Sequence, residues 1–411
     1  MNNDGIKLQT AAWVKEGRIH MPTKQRKVRR MVRKPHPNRT FRPKRKASSA
    51  LMTSMLQLGE RDGFLQGWRL GRHLGSCERI AQRTEPDTGT VYDLKLFYVK
   101  EGFASLDEGI VEALRGLVRE VVPLHESEDA AGLALDSRPD AVIVLNGTRF
   151  PVSQTDRLRE LGIWTVLWCV DDPYHSDVSA VLAPHYDYVF THERNAVSMY
   201  HELGCKRVHY LPLAAAVHLY HPRRTETSRH TDICLIANAF TNRLSFIDAI
   251  APYLATKKVL IAGWWWDRLS SFQLLRDKIR LNADWMPPEE TAACYSSAKI
   301  VMNLHRSDHD PFNTNSRGLN AHSINPRTFE ICATGAFQLT DVRGDMDAWY
   351  RPGIEIETYD SPAQFIEKAE YYLTHDDERE TVGLRGFRRT LEEHTYRKRL
   401  RTLLDILTAQ D

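Results

Sequence analysis

Short apolar runs alternate with helix-like stretches along most of this chain, and no hairpin signal joins one run to the next. The first series is Asp93–Val99, Ala141–Leu145, Trp164–Val170, Tyr186–Phe190 and Arg207–Leu211. Helical patterns separate them at Ser105–Val118, near 130–135, at Ser153–Leu161 and at Asn195–Leu203, with Ser105 and Glu108 matching a capping box. Strands linked through helices run parallel, and a parallel sheet needs helices on both faces. The pattern therefore predicts an α/β, doubly wound sheet. A polar stretch from Pro222 to Thr231 reads as a linker, and the rhythm then resumes with Asp232–Ala237, Lys258–Ala262, Lys299–Leu304, Phe337–Thr340 and a short strand at Ile354–Ile356. A length of 411 residues accommodates two such domains.

The flanks read differently. Residues 1–50 carry Lys and Arg without enough apolar surface for a core, which predicts a disordered basic arm able to meet an anionic partner. From 51 to 88 the pattern is helical, and Gly63, Gly67, Gly71 and Gly75 form a stripe that suits close approach of another backbone, in a packed hairpin or in self-association. The bland alternative is a glycine-weakened helix lying on the first domain. Domains are expected at 89–222 and 223–392, with a cation-rich helix at 393–411 that crosses back onto the first. The chain has no apolar run long enough for a membrane span and no apolar leader, so a cytoplasmic location is expected. Six scattered cysteines without a Cys-x-x-Cys pair predict neither disulfides nor structural zinc.

The most informative stretch runs from Ile300 to Val342. A buried strand ends at Asn303 and Leu304, a long polar loop follows, and Asn325-Pro326-Arg327-Thr328-Phe329-Glu330 opens a helix that leaves through Gly335. In open α/β sheets, residues after strand carboxyl ends face a ligand crevice. A helix N-terminus favours an anion, and Arg327 and Glu330 can supply a phosphate partner and a ribose-hydroxyl acceptor. Asn303, His305, Arg306, Asn325, Arg327 and Glu330 are accordingly candidate donor-site residues, joined by Asn238 and Arg243 after the first strand of the second series. Gly263 precedes Trp264-Trp265-Trp266, which cannot all face one side of a strand or helix; some could stack on a base or sugar, and interdomain packing would explain them equally. In the first series, Asp171 and Asp172 follow the most apolar strand and His192 follows the next, so these three are the catalytic candidates for orienting or deprotonating an acceptor. A plain Asp-Pro turn and a hydrogen-bonded loop histidine are the structural alternatives. The spacing of His305, Asp308, His309 and Asp310 matches no strong metal-ligand pattern.

Asn325-Pro326-Arg327-Thr328-Phe329-Glu330-Ile331 with Gly335 and Thr340-Asp341, together with Trp168–Pro173, Leu211–Ala214 and His394-Thr395-Tyr396, resembles the CgeB-type spore-maturation glycosyltransferase family over roughly residues 90–405. The resemblance implies a GT-B architecture of two Rossmann-like domains, an acceptor domain first and a nucleotide-sugar domain second. It implies a hexosyltransferase-like, metal-independent enzyme with no cofactor beyond its nucleotide-diphosphate sugar. It also suggests kinship with retaining enzymes whose donor site carries two glutamates separated by seven residues. Glu330 matches the second, while the first position holds His322, which is kept as a donor-site candidate.

The resulting expectation is transfer of a sugar from a nucleotide-diphosphate donor to a protein or glycan acceptor, in spore-coat or surface-glycan maturation. Two alternatives stand beside it: a catalytically silent binding or assembly protein that keeps the two-domain shell, and a nucleic-acid-associated glycosyltransferase using the basic arm. A homo-oligomer through the glycine-striped helix is a further expectation.

Overall fold

The structure is a computed structural model that describes residues 49–85, 89–281 and 285–409. Nearly all of the expected basic arm lies outside these residues. Asp62–Asp411 forms one compact unit. It contains two six-stranded sheets, as the alternating pattern predicted.

The first sheet is built from β1 (Tyr92–Val99), β2 (Val118–Leu124), β3 (Ala141–Leu145), β4 (Trp164–Cys169), β5 (Tyr188–Thr191) and β6 (Arg207–Tyr210). Their order is β2-β1-β3-β4-β5-β6, with every pair parallel. All five residues of β3 are buried, as are five of the six in β4, because helices cover both faces. The second sheet comprises β7 (Thr231–Ile236), β8 (Val259–Gly263), β9 (Ile279–Leu281), β10 (Ala298–Asn303), β11 (Gln338–Asp341) and β12 (Glu357–Tyr359). It is also wholly parallel, in the order β12-β11-β10-β7-β8-β9. Order reverses between β1 and β3 in one sheet and between β7 and β10 in the other, and ligand crevices open at such reversals.

One apolar cluster runs from Leu96 and Trp168 through Leu211–Tyr220 to Phe329 and on to Leu400 and Leu404. The segment after β6 is its bridge. Leu211 O accepts from the Trp168 indole N–H at 3.0 Å, and Ala215 pairs with Thr395. Helix Tyr396–Thr408 then packs against helix Ala104–Arg115.

Two local expectations are corrected, and one strand goes unread in the sequence. The helix expected from Ser105 begins at Ala104, after Phe103, which makes no side-chain cap; Ser105 therefore lies inside the helix and the capping box does not form. The strand expected at Ile354–Ile356 is displaced to Glu357–Tyr359, with Ile356 only bridging Pro352. The short strand β9 had too few apolar residues to be read from the pattern.

Within the compact unit, helix Ser49–Arg83 docks through Cys77, Leu70, His73 and Leu74, and Arg72 reaches Asp377 at 2.7 Å and Glu380 at 2.6 Å. Its dock is the second sheet's helices and Gly335, not the first domain. A Cβ at Gly63, Gly67, Gly71 or Gly75 would meet nothing within 4 Å. Phe64 and Trp68 are exposed beside them. The stripe thus packs on nothing among the described residues, which supply no hairpin partner for it. Since nothing occupies the space beside them, Gly67→Ala and Gly71→Ala should each strengthen the helix by about 0.5–1 kcal/mol. Hydrogen exchange at the amides around them should slow; unchanged or faster exchange would show that the glycines serve a contact the single chain lacks.

Candidate active site

At the reversal point of the second sheet, β10 ends in Asn303, a fully buried amide. Its Nδ2 lies 3.2 Å from Asn325 Oδ1, 3.1 Å from Thr328 Oγ1 and 3.1 Å from Gln338 Oε1. Its Oδ1 accepts from Asn325 Nδ2 at 3.0 Å and from Arg327 Nη1 at 3.3 Å. Asn325 in turn caps helix Pro326–Ala333 by accepting the Thr328 N–H at 3.0 Å, with Pro326 at the first position where a missing N–H matters least.

His305 sets where that helix starts. Its Nε2 accepts the Asn325 N–H at 3.0 Å, so the ring proton sits on Nδ1, 2.5 Å from Asp341 Oδ1. Burial pushes its pKa down to about 4, against the pull of Asp341, and the ring stays neutral. Both nitrogens are occupied and the residue has no exposed surface. His305 is therefore a positioning residue, which corrects the expectation that it touches a donor.

Three guanidinium groups converge beside this network. Arg243, in the first turn of helix Thr241–Ala255, is buried; its Nε donates to Leu304 O at 2.8 Å and its Nη1 to Asn238 O at 2.9 Å. Burial lowers its pKa to about 9, and the neighbouring charges of Arg327 and Arg306 act in the same direction. Arg306 lies over Phe240, 4.0 Å from the ring centre, and over Tyr174 at 5.0 Å; its Nε is buried without a hydrogen-bond partner. Burial lowers the Arg306 pKa as well. Among the described residues, no carboxylate lies within ion-pair distance of Arg243, Arg306 or Arg327. The three thus lie together without a directly paired carboxylate, while Asp341 acts on Arg243 and Asp310 on Arg306 from further off. Arg327 and Glu330 stand one turn apart. The Tyr220 hydroxyl lies near the Glu330 carboxyl, and burial pushes the Glu330 pKa up to about 7 against the influence of Arg327 and Tyr220.

Asn238 and Gly263 join two loops. Asn238 Oδ1 accepts the Trp264 N–H at 3.2 Å. Gly263 has φ +142°, and a Cβ there would come within 2.1 Å of the Ala237 carbonyl, so only glycine lets β7 and β8 end this close together. The tryptophans divide. Trp266 is buried and donates to Ala237 O at 2.7 Å, whereas Trp265 stacks on Phe312 with ring centres 6.3 Å apart and Trp264 meets Trp285 edge-on at 5.6 Å. An aromatic rim therefore borders the cationic cluster through Phe240, which packs on Trp265. The His322 main-chain N–H bonds Glu193, and its imidazole lies against Gly344.

On the first sheet the paired aspartates separate into two roles. Asp172 is buried and accepts hydroxyls from Ser179 at 2.8 Å, Thr191 at 2.7 Å and Tyr200 at 2.6 Å. These bonds occupy both its oxygens, which corrects the expectation that it meets an acceptor. Asp171 is half-buried and holds Asn146 Nδ2 at 2.8 Å. His192 is buried with neither ring nitrogen partnered among the described residues. Glu193 accepts the His322 and Ser323 N–H groups at 3.0 Å each, tying the long loop of the second half to the first. Asp177 does the same for Ser316 at 3.0 Å. Glu101, Tyr220 and Arg343 were not singled out from the sequence. Glu101 could have been found by the carboxyl-end rule that located Asp171, since it stands two residues after β1.

Two sheets with facing carboxyl ends and a cationic helix start between them define the GT-B class of α/β proteins, as the resemblance implied. Residues 243–405 match the glycosyl transferase-like family model. The chain is 28% identical over 308 residues to spore protein CgeB of Bacillus subtilis (strain 168), covering 74% of this chain and 95% of that protein. The chain is thus similar to CgeB over most of its length, and its second half is similar to the glycosyl transferase-like family. The fold is similar to Anabaena HepE solved in complex with UDP and glucose (TM-score 0.53, 8% identity, 77% of this chain and 100% of that one). It is also similar to sucrose-phosphate synthase from Thermosynechococcus elongatus (TM-score 0.52, 9% identity, 77% and 99%) and to a glycosyltransferase from Rickettsia africae ESF-5 (TM-score 0.53, 11% identity, 77% and 100%).

Because three buried hydroxyls depend on Asp172, Asp172→Ala should lower unfolding stability by about 3 kcal/mol, whereas Asp171→Ala should stay within about 1 kcal/mol of the parent. Urea midpoints of the two variants check this. Equal losses would mean that both carboxylates are structural.

Proposed function

We propose that this chain transfers a hexosyl unit from a nucleoside-diphosphate sugar to a hydroxyl of a protein or glycan acceptor. The observation that carries this reading is the convergence of Arg243, Arg306 and Arg327, without carboxylate partners, at the reversal point of the second sheet and the start of helix Pro326–Ala333. A diphosphate leaving group fits such a cluster, and a preorganised positive field stabilises it as it departs. No metal is called for in this account, because guanidinium groups supply that charge. Uridine diphosphate is the ligand to try first, since HepE was crystallised with it.

In this reading Arg327 and Arg306 contact the diphosphate, while Arg243, engaged with main-chain carbonyls, acts through its field. Glu330 with Tyr220 receives the ribose hydroxyls, and the rim of Trp264, Trp265 and Phe312 offers faces for the base. Asn303, His305 and Asn325 hold the helix start in place, and Asn238, Gly263 and His322 shape the surrounding loops. Residues 89–222 form the acceptor domain and 223–392 the nucleotide-sugar domain. Asp171 and His192 face the acceptor side. The relative's name points to spores, so spore-coat maturation is the proposed setting, with surface-glycan maturation beside it and the cytoplasm as the proposed location. Self-association through the glycine stripe and an anionic partner for residues 1–50 belong to the same proposal. No described helix is long and apolar enough to cross a membrane.

One observation favours a second reading. His322 stands where kindred enzymes carry a glutamate, which suits a protein that binds a nucleotide sugar without turning it over. Turnover across a sugar-nucleotide panel separates the two readings.

Arg327→Ala should weaken UDP binding at least ~10-fold, a loss of about 1.4 kcal/mol or more, with an unchanged melting temperature. Glu330 has a raised pKa, so it is protonated below about pH 7 and becomes a charged acceptor above it. UDP affinity should therefore fall as pH drops from 8 to 6, and Glu330→Gln should flatten that dependence. Calorimetry over this range checks both outcomes; wild-type binding that strengthens toward pH 6 would contradict the ribose assignment.

A further inference from the structure

The first sheet also has a reversal point, between β1 and β3, and the residues there carry no role in the reading above. Crevices at such points take ligands as readily in this strand order as in the other doubly wound order. Glu101 follows β1 at this place. Asn146, at φ +56°, and Gly147, at φ +71°, turn the chain sharply after β3. Asn146 Oδ1 accepts the Val170 N–H at 3.2 Å, while its Nδ2 donates to Asp171 at 2.8 Å. Thr148 donates its hydroxyl to the Glu101 carboxylate, and Arg149 donates to the Glu101 main-chain carbonyl while pairing with Glu126 at 3.0 Å. Three adjacent strands, β1, β3 and β4, thus present Glu101, Asn146 and Asp171 in a row along one rim.

We propose that Glu101 is the acceptor-side general base, with Asp171 as its neighbour on the same rim. The proposal rests on the glycosyl-transfer reading and adds to it the residue that receives the acceptor's proton. In the step, the acceptor oxygen forms a bond to the anomeric carbon as the bond from that carbon to the diphosphate oxygen breaks. The nucleoside diphosphate leaves with the electron pair, and the acceptor proton passes to the Glu101 carboxylate, from which solvent removes it afterwards.

The surroundings of Glu101 suit this task. Burial raises its pKa to about 7, and Asp171 across the rim adds to that, while Thr148 and Arg149 lower it. Asp107 and Tyr98 approach it from helix Ala104–Arg115 and from β1, where Asp107 accepts the Glu101 N–H at 3.4 Å. Tyr186, before β5, and Glu126, after β2, complete the titratable groups around it. A carboxylate poised near neutrality removes protons efficiently, and such a base contributes ~10²–10⁴-fold to rate. A purely structural Glu101 would only tie Thr148 and Arg149 to β1.

Hydrolysis of UDP-glucose, UDP-galactose, GDP-mannose and TDP-glucose, read as released nucleoside diphosphate between pH 5.5 and 8.5, tests the assignment on the full chain. Wild type should lose rate as pH falls through about 7. Glu101→Gln should lower kcat at least ~100-fold and remove that acid limb while leaving the UDP dissociation constant within ~2-fold, and Glu101→Asp should recover part of the rate. Thr148→Val removes the structural tie but keeps the carboxylate, so it should retain most of the rate and shift the limb upward. Glu101→Gln with a wild-type rate and pH profile overturns this proposal alone. A wild-type chain that binds none of the corresponding nucleoside diphosphates and hydrolyses none of the four sugars overturns the donor reading and the base together.

Discussion

The arrangement of the second half depends on one neutral imidazole. His305 stands between Asp341 at the end of β11 and the main-chain N–H of Asn325, and with both nitrogens committed it decides where helix Pro326–Ala333 begins. Asn303 repeats the tie from the end of β10, reaching Asn325, Thr328 and Gln338 at once. Two strands and a helix are thereby fixed at one point, and a fully satisfied buried polar network of this kind specifies a single geometry. Arg327 is held by the same amide, so its position follows from the network and not from an ion pair.

The cationic cluster has a price in folding stability, since Arg243 is buried without a directly paired carboxylate. Arg243 offsets part of it with two main-chain carbonyls, and Arg306 offsets part by lying on Phe240 and Tyr174. Neither substitute neutralises the charge. Glu330 and Tyr220 stand beside Arg327 at the start of helix Pro326–Ala333. The tie from Glu193 to the main chain of His322 and Ser323 holds the first sheet's loops to the same region.

Much of the fold was legible because parallel strands buried on both faces read as plain apolar runs. β3 and β4 stood out for that reason, while β9, three residues with two exposed, did not. The Asn325-Pro326 helix start and the Gly335 exit, at φ +72°, were legible from local chemistry alone. What the sequence could not convey was which polar groups satisfy one another across the fold. Asp171 and Asp172 are neighbours in the chain, yet only a tertiary view shows three hydroxyls from Ser179, Thr191 and Tyr200 filling the second and leaving the first half-exposed. His305 looked like a ligand contact for the same reason: its partners lie 20 and 36 residues away. The glycine stripe was seen correctly as a stripe, but the face that docks is its neighbour, bearing Leu70, His73 and Cys77.

The most direct test of the account is a structure of this chain with UDP bound. The account places the diphosphate at the start of helix Pro326–Ala333, within hydrogen-bond reach of Arg327 and Arg306, with the ribose at Glu330 and Tyr220. Density for UDP elsewhere, such as the ≈ 410 Å³ cavity between His73, His230 and Lys299 at the amino ends of the second sheet's strands, would contradict it.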